Sequence, residues 1–164
     1  MKTLLMIRHA KAGWGGFTLS DFERPLEISG MKDAEKMAIR LKERHLKIEM
    51  FISSTALRAR TTAEIISENY FNQKVAVNYY DNLYHASPEV IASRVASLEN
   101  QWNTVAIVCH NPGITEFVNM LVKQVKIDDM PTCGIFAVSA ACDQWENWDA
   151  ANKTFLFFDY PRLR

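Results

Sequence analysis

Cysteine is scarce in this chain. There are three in 164 residues, Cys109, Cys133 and Cys142, with no CxxC spacing among them and an odd one left after any pairing. A closed disulfide framework is therefore excluded, and a reducing, cytoplasmic compartment fits best. An excess of either charge is also missing. Lys+Arg and Asp+Glu stand at 19 each, so there is no electrostatic footprint for nucleic acid or a membrane surface. No apolar run approaches the roughly 20 residues of a membrane span. The early run "TLLMI" is too short for a signal-peptide core and ends directly at Arg8. Repeats, low-complexity tracts and linkers are absent too, so residues 1–164 read as one domain, which buries roughly two thirds of its unfolded surface without metal or disulfide.

What is present is the composition of an ordinary globular protein, 48% hydrophobic and 23% charged. The order of its patterns carries more. Residues 3 to 7 are continuously apolar, as in a strand buried on both faces. A loop with Gly13, Gly15 and Gly16 follows, and then apolar residues at 31, 34, 37, 38 and 41 mark a helix to about Arg44. "EMFIS" predicts a second strand, with Ser54 or Thr55 capping the helix "ALRARTTAEIISENY". "KVAVNYY" predicts a third strand. Pro88 opens a helix with Ile91, Val95 and Leu98 along one face. "TVAIVC" predicts another buried strand, after which Asn111 and Pro112 read as N-cap and first residue of the helix "PGITEFVNMLV". Beyond Pro131, "GIFAVSA", "QWENW" and "KTFLFF" read as three strand-like runs. The expected fold is a three-layer α/β/α sandwich, its central sheet mostly parallel with antiparallel strands at the C-terminal edge.

Open α/β sheets bind ligands at the carboxyl ends of their strands, so the residues just after each predicted strand matter most. Arg8 and His9 follow the first, Arg58 lies in the first turn of the helix after the second, and His110 follows "TVAIVC". Taken singly, each has an ordinary reading: Arg58, like Arg60, as a solvated helix residue, and His110 as a satisfied core histidine. Taken together, they occupy one topological position. Arginine presents a planar fork of donors suited to phosphate oxygens, helix N-termini add N–H groups, and a histidine among them can accept a phosphoryl group on a ring nitrogen.

On "LLMIRHAKA", "ERPLEISGMKDA", "SSTALRARTTAE", "DNLYHASP", "IVCHNPGITEFVNML" and "PTCGIFAV", the chain resembles the histidine phosphatase (phosphoglycerate-mutase-like) superfamily, and within it the short SixA-type phosphohistidine phosphatases. The resemblance implies a phosphoglycerate-mutase-like fold and a covalent mechanism in which His9 is the nucleophile and Arg8, Arg58 and His110 hold the phosphoryl oxygens. It implies that His110 works in its charged form. Arg24 and the backbone of Asn111 are further candidates for phosphate binding. It implies no metal and no cofactor, and neither His45 nor His85 has a ligand spacing.

Larger members of that superfamily carry a carboxylic acid that protonates the leaving alcohol. Here the corresponding segment is "DNLYHASP", in which His85 stands near the expected place and Asp81 and Glu89 are out of position. General acid catalysis contributes typically about 10²- to 10⁴-fold for a poor leaving group, whereas an imidazole, with a reference pKa of about 6.5, can leave already protonated. The missing acid therefore favours phosphohistidine in a partner protein over small phosphate esters, with His85 as a possible proton donor. A small-molecule phosphomonoesterase and a non-catalytic phosphate-binding module are the alternatives; a mutase, which must enclose a bisphosphate, fits the short chain less well. The four tryptophans are expected mainly in the core.

Overall fold

Residues 3 to 7 are apolar without alternation because both faces of their strand are covered. In the computed structural model, which describes residues 1–163, strand β1 (Lys2–Arg8) directs Leu4 and Met6 into one apolar cluster and Leu5 and Ile7 into another. The same division runs through β2 (Met50–Ser54), β4 (Thr104–Cys109) and β5 (Ile135–Ala140). With β3 (Val77–Tyr80) and β6 (Lys153–Asp159) they form one six-stranded sheet in the order β3-β2-β4-β1-β5-β6. The pairings among β1 to β4 are parallel, and β5 runs antiparallel to both β1 and β6. The three-layer arrangement with an antiparallel C-terminal edge is thus the observed one.

Helices α1 (Ile28–Glu43) and α2 (Leu57–Phe71) cover one face, burying Ala34, Met37, Ala38 and Leu41 against Ala59, Ala63 and Ile66. Helices α3 (Pro88–Ala96) and α4 (Gly113–Leu121) cover the other with Ile91, Val95, Ile114, Phe117 and Val118. Burying the larger of these side chains contributes ~1.5–3 kcal/mol each, which makes these two clusters the main source of stability. Ser87 caps α3 by accepting the Val90 N–H at 3.2 Å, with Pro88 at the first helical position.

Several sequence expectations are corrected. "QWENW" is a 3-10 turn (Trp145–Asn147), not a strand: Trp145 and Trp148, three residues apart, both turn into the core. Trp14 instead lies on the surface. Strand β3 begins only at Val77, and α1 begins at Ile28, ahead of the apolar pattern. The N-cap position of α2 is Ala56, with Ser54 Oγ accepting the Ala56 N–H at 3.3 Å. Asn111 does not cap α4, which starts at Gly113 after Pro112. Its side chain instead donates to Asp129 Oδ1 at 2.6 Å and Met130 O at 3.1 Å, and accepts from Thr115 Oγ1 at 2.6 Å.

Two features of the chain path bring loops to the carboxyl edge of the parallel strands. Gly113 lets α4 start hard against the loop before α3: a Cβ there would stand 1.9 Å from Ala86 O. The long loop after β1 returns through a 3-10 turn at Asp21–Glu23, closed by Glu23 Oε2, which accepts from Ser20 N at 3.1 Å and Ser20 Oγ at 2.8 Å.

Candidate active site

The backbone of residues 8 to 10 is held from three directions as it leaves the sheet. Arg8 N donates to Gly134 O at 3.0 Å, His9 N to Cys109 O at 3.2 Å, and Cys133 N to the carbonyls of both Arg8 and His9. Ala10 N donates to Thr62 Oγ1 at 2.9 Å, and Thr62 in turn donates to Arg58 O at 2.7 Å, tying the end of β1 to α2. A side chain on such a frame has a fixed origin.

His9 is buried, with Nδ1 2.8 Å from Ala10 O. Because a carbonyl can only accept, Nδ1 carries the proton and Nε2 presents its lone pair, an assignment made from the hydrogen-bond network. Arg58, in the first turn of α2 and only 3% exposed, donates Nε–H toward that nitrogen at 3.4 Å. The ring of His110 lies 5.1 Å away, centroid to centroid. Its Nε2 is 2.8 Å from Ser54 Oγ at the end of β2, and its Nδ1 has no partner. Ser54 Oγ also accepts from Ala56 N, and a hydroxyl can donate to His110 Nε2 or accept from it, according to the imidazole tautomer. In the tautomer in which Ser54 donates to Nε2, the unpartnered Nδ1 of His110 carries an N–H.

Arg8 donates Nη1 to Met130 O at 2.6 Å and stands 3.9 Å from the Asp129 carboxylate, while its buried Nε has no partner. Unpartnered buried donors are costly, about 1–3 kcal/mol each. Two of the four such side-chain atoms among the described residues, Arg8 Nε and His110 Nδ1, are in this site. Both would be satisfied by the oxygens of a tetrahedral anion.

Burial is also the chief cause of the imidazole pKa shifts. It pushes His9 down to about 4, assisted by the Arg58, Arg8 and Arg24 cations and opposed by the bond to Ala10 O. It pushes His110 down to about 2, assisted by His9 and Arg58. His9 is thus the neutral base that a nucleophile must be. Against the expectation of a charged His110, the protein's own groups hold its imidazole in the neutral form. Beside it, burial pushes the Cys109 thiol up to about 12, consistent with packing and not chemistry.

Of the remaining sequence candidates, His85 reaches the site and Arg24 works behind it. His85 adopts a left-handed backbone (φ 51°), its ring 6.0 Å from His110 and its Nε2 3.4 Å from Asp21 Oδ2. Arg24 spends its donors on Gly13 O (3.1 Å), Ala12 O (3.4 Å) and Asp21 Oδ1 (3.2 Å), and its guanidinium lies 4.3 Å from the Trp14 ring centroid. It braces the loop. Asn111 is engaged through its side chain, as described above.

Sequence reasoning missed Asp21, Ser54 and Tyr84. Asp21 accepts from Arg58 Nη2 at 3.0 Å through its carboxylate and from Arg58 Nη1 at 2.6 Å through its carbonyl. Tyr84 OH donates to Asp21 Oδ2 at 2.6 Å, and the Tyr84 ring stands edge-on to His110 at 5.6 Å. A carboxylate is therefore present after all, in the loop after β1 and not in the segment "DNLYHASP". Hydrogen bonds from Tyr84 and Arg24, with the Arg58 cation, hold its carboxyl far below the usual carboxylate range, so it stays ionised and supplies no proton near neutral pH. Among the described residues no group of three His, Cys, Asp or Glu side chains is arranged to hold a metal ion.

The model of the histidine phosphatase superfamily (branch 1) matches residues 4–83, the span that carries Arg8, His9 and Arg58. An uncharacterised protein of Mycobacterium leprae is 26% identical over 167 residues, covering 95% of this chain and all of the relative. A solved structure of the protein histidine phosphatase SixA complexed with tungstate superposes with a TM-score of 0.82 at 24% identity, over 99% of both chains. A mycobacterial glucosyl-3-phosphoglycerate phosphatase in complex with VO3 superposes at 0.71 with 16% identity, over 98% of this chain and 100% of the other. The first half of the chain thus matches the model of the histidine phosphatase superfamily, and the fold of the solved phosphatases extends over its whole length.

Proposed function

We propose that the protein is a phosphatase that removes the phosphoryl group from phosphohistidine in a partner protein, working as a single domain in a reducing, cytoplasmic setting and through a covalent intermediate on His9. The observation that carries this is the His9 tautomer: Nδ1 is committed to Ala10 O at 2.8 Å, leaving Nε2 as a neutral nucleophile beside Arg58 at 3.4 Å. The Nε2 lone pair forms the new N–P bond as the substrate's N–P bond breaks, and the electron pair of the broken bond stays on the departing imidazole. Arg8 Nε, Arg58 and His110 Nδ1 donate to the equatorial oxygens as charge spreads over them. Water then attacks the phosphoryl group on His9, releasing inorganic phosphate and restoring the neutral imidazole.

The preference for an N–P bond rests on the acid inventory. Asp21 is the carboxylate nearest the histidines and it is locked ionised, so a leaving alkoxide would depend on His85 alone. An imidazole protonated on its other ring nitrogen leaves without help. Likeness of fold to a protein histidine phosphatase supports the same reading. The test is turnover of a phosphohistidine protein against simple phosphate esters, with trapping of an acid-labile phosphoenzyme. Higher kcat/KM on the phosphohistidine protein is expected. Higher efficiency on the esters would make the phosphomonoesterase reading the correct one.

A further inference from the structure

Arg58 has five N–H donors on a planar fork, with two usable edges: the end-on edge formed by Nη1 and Nη2, and the side-on edge formed by Nε and Nη2. One residue takes the whole end-on edge. Asp21 accepts from Nη1 with its backbone carbonyl at 2.6 Å and from Nη2 with its carboxylate at 3.0 Å. Nε points at His9 Nε2 at 3.4 Å, so the side-on edge is what remains for an anion at the nucleophile. We infer that Asp21 is the positioning residue that clamps Arg58 end-on and so turns its side-on edge to the phosphoryl group.

The clamp is itself braced. Asp21 Oδ2 accepts from Tyr84 OH at 2.6 Å and Oδ1 from Arg24 Nη1 at 3.2 Å, and Arg24 is fixed to the carbonyls of Ala12 and Gly13. The carboxylate thus joins the loop after β1, the first turn of α2 and the loop before α3. Its Oδ2 also stands 3.4 Å from His85 Nε2, so one side chain connects the oxygen-binding side of the site with the leaving-group side. Among the described residues the guanidinium of Arg58 makes no hydrogen bond except to Asp21 and His9. Without the Asp21 carboxylate it would keep the carbonyl contact at Nη1 alone, free to swing about that one point, and its side-on edge would lose its aim.

The inference rests on the phosphatase reading for the place of the anion. Its test is binding, which does not depend on which substrate is physiological. Inorganic phosphate affinity is measured by calorimetry for the full chain, Asp21→Ala, Arg58→Ala and the double variant. Asp21→Ala is expected to weaken phosphate binding about tenfold or more in the wild-type background and less than about threefold when Arg58 is already alanine, because the two side chains act as one unit. Asp21→Asn, which keeps an acceptor oxygen for Nη2, is expected to recover part of the loss, a rescue that a general loosening of the fold would not show. It also carries the same cycle should the alanine variant not fold. Equal losses in both backgrounds would overturn the inference. Tighter binding in Asp21→Ala would overturn it as well, by showing that the carboxylate occupies the anion's place. A wild-type chain that binds no phosphate overturns both this inference and the phosphatase reading; ordinary phosphate binding with no phosphohistidine turnover removes only the latter.

Discussion

The two ends of β1 each carry a cation, buried at the start and half-buried at the finish, and they hold it in opposite ways. At the start, the Lys2 ammonium is 1% exposed and spends its three donors on Asn100 O (2.7 Å), Trp102 O (3.0 Å) and Asn103 Oδ1 (3.0 Å), with the Trp145 ring 5.6 Å away. At the finish, Arg8 makes one hydrogen bond, to Met130 O, and leaves its buried Nε without a partner. The saturated cation is structural: it closes a polar gap at the sheet's edge and has nothing left to offer. The unsaturated one is held in deficit by a rigid backbone, and a group held in deficit is ready to bind. The contrast lies in the spare donors: Lys2 has none, and Arg8 keeps a buried Nε to offer an anion.

The comparison can be broken at several points. The greatest effect is expected from His9→Ala, which should lower phosphohistidine turnover by ~10⁴-fold or more while leaving the chain folded; undiminished hydrolysis by the purified variant would show that another group attacks phosphorus. Arg58→Ala should weaken vanadate binding by ~2–5 kcal/mol because it removes a buried charge partner of the anion, with little change in the urea midpoint. Lys2→Met should do the reverse. Leaving the three acceptors unpaired is expected to cost ~2–4 kcal/mol in urea unfolding, with vanadate affinity unchanged. A Lys2 variant that keeps its stability but loses affinity would invert the distinction between the two ends.

A last effect concerns pH. The folded-state pKa of His9, about 4, and that of His110, about 2, lie below the unfolded value near 6.5. Below pH 6.5 the unfolded chain therefore binds more protons, and stability falls as pH drops toward 4. Above pH 6.5 these two groups contribute no pH dependence. Unfolding midpoints at pH 7, 5.5 and 4.5 check this, and the decline should flatten in a His9→Ala, His110→Ala double variant.

Much of this was legible in the sequence. The buried strands and the site histidines and arginines were, because each rests on a local signal: an unbroken apolar run, or a polar residue immediately after one. The misreadings also have local causes. In "QWENW" the two tryptophans stand three apart, a 3-10 spacing that polar residues between them disguise as a strand. Asn-Pro before an apolar run imitates a helix cap, but here the Asn side chain is drawn off to Asp129, Met130 and Thr115. Asp21 had no signal of that kind. Its partners Arg58 and Tyr84 are 37 and 63 residues away, and it lies in a turn without periodicity. Only the assembled loops reveal what it touches.

Gly113 has a consequence for how the site can change. The His85 loop rests directly on the backbone of α4, with no side chain between them, since a Cβ would stand 1.9 Å from Ala86 O. The width of the cleft between His85 and His110 is therefore a main-chain dimension, insensitive to repacking of the residues that line it. Substitutions on its walls can alter which chemistry is favoured without altering the gap that admits the reactant. A single methyl group at position 113 would do the opposite, widening the gap while leaving every reactive group in the chain intact.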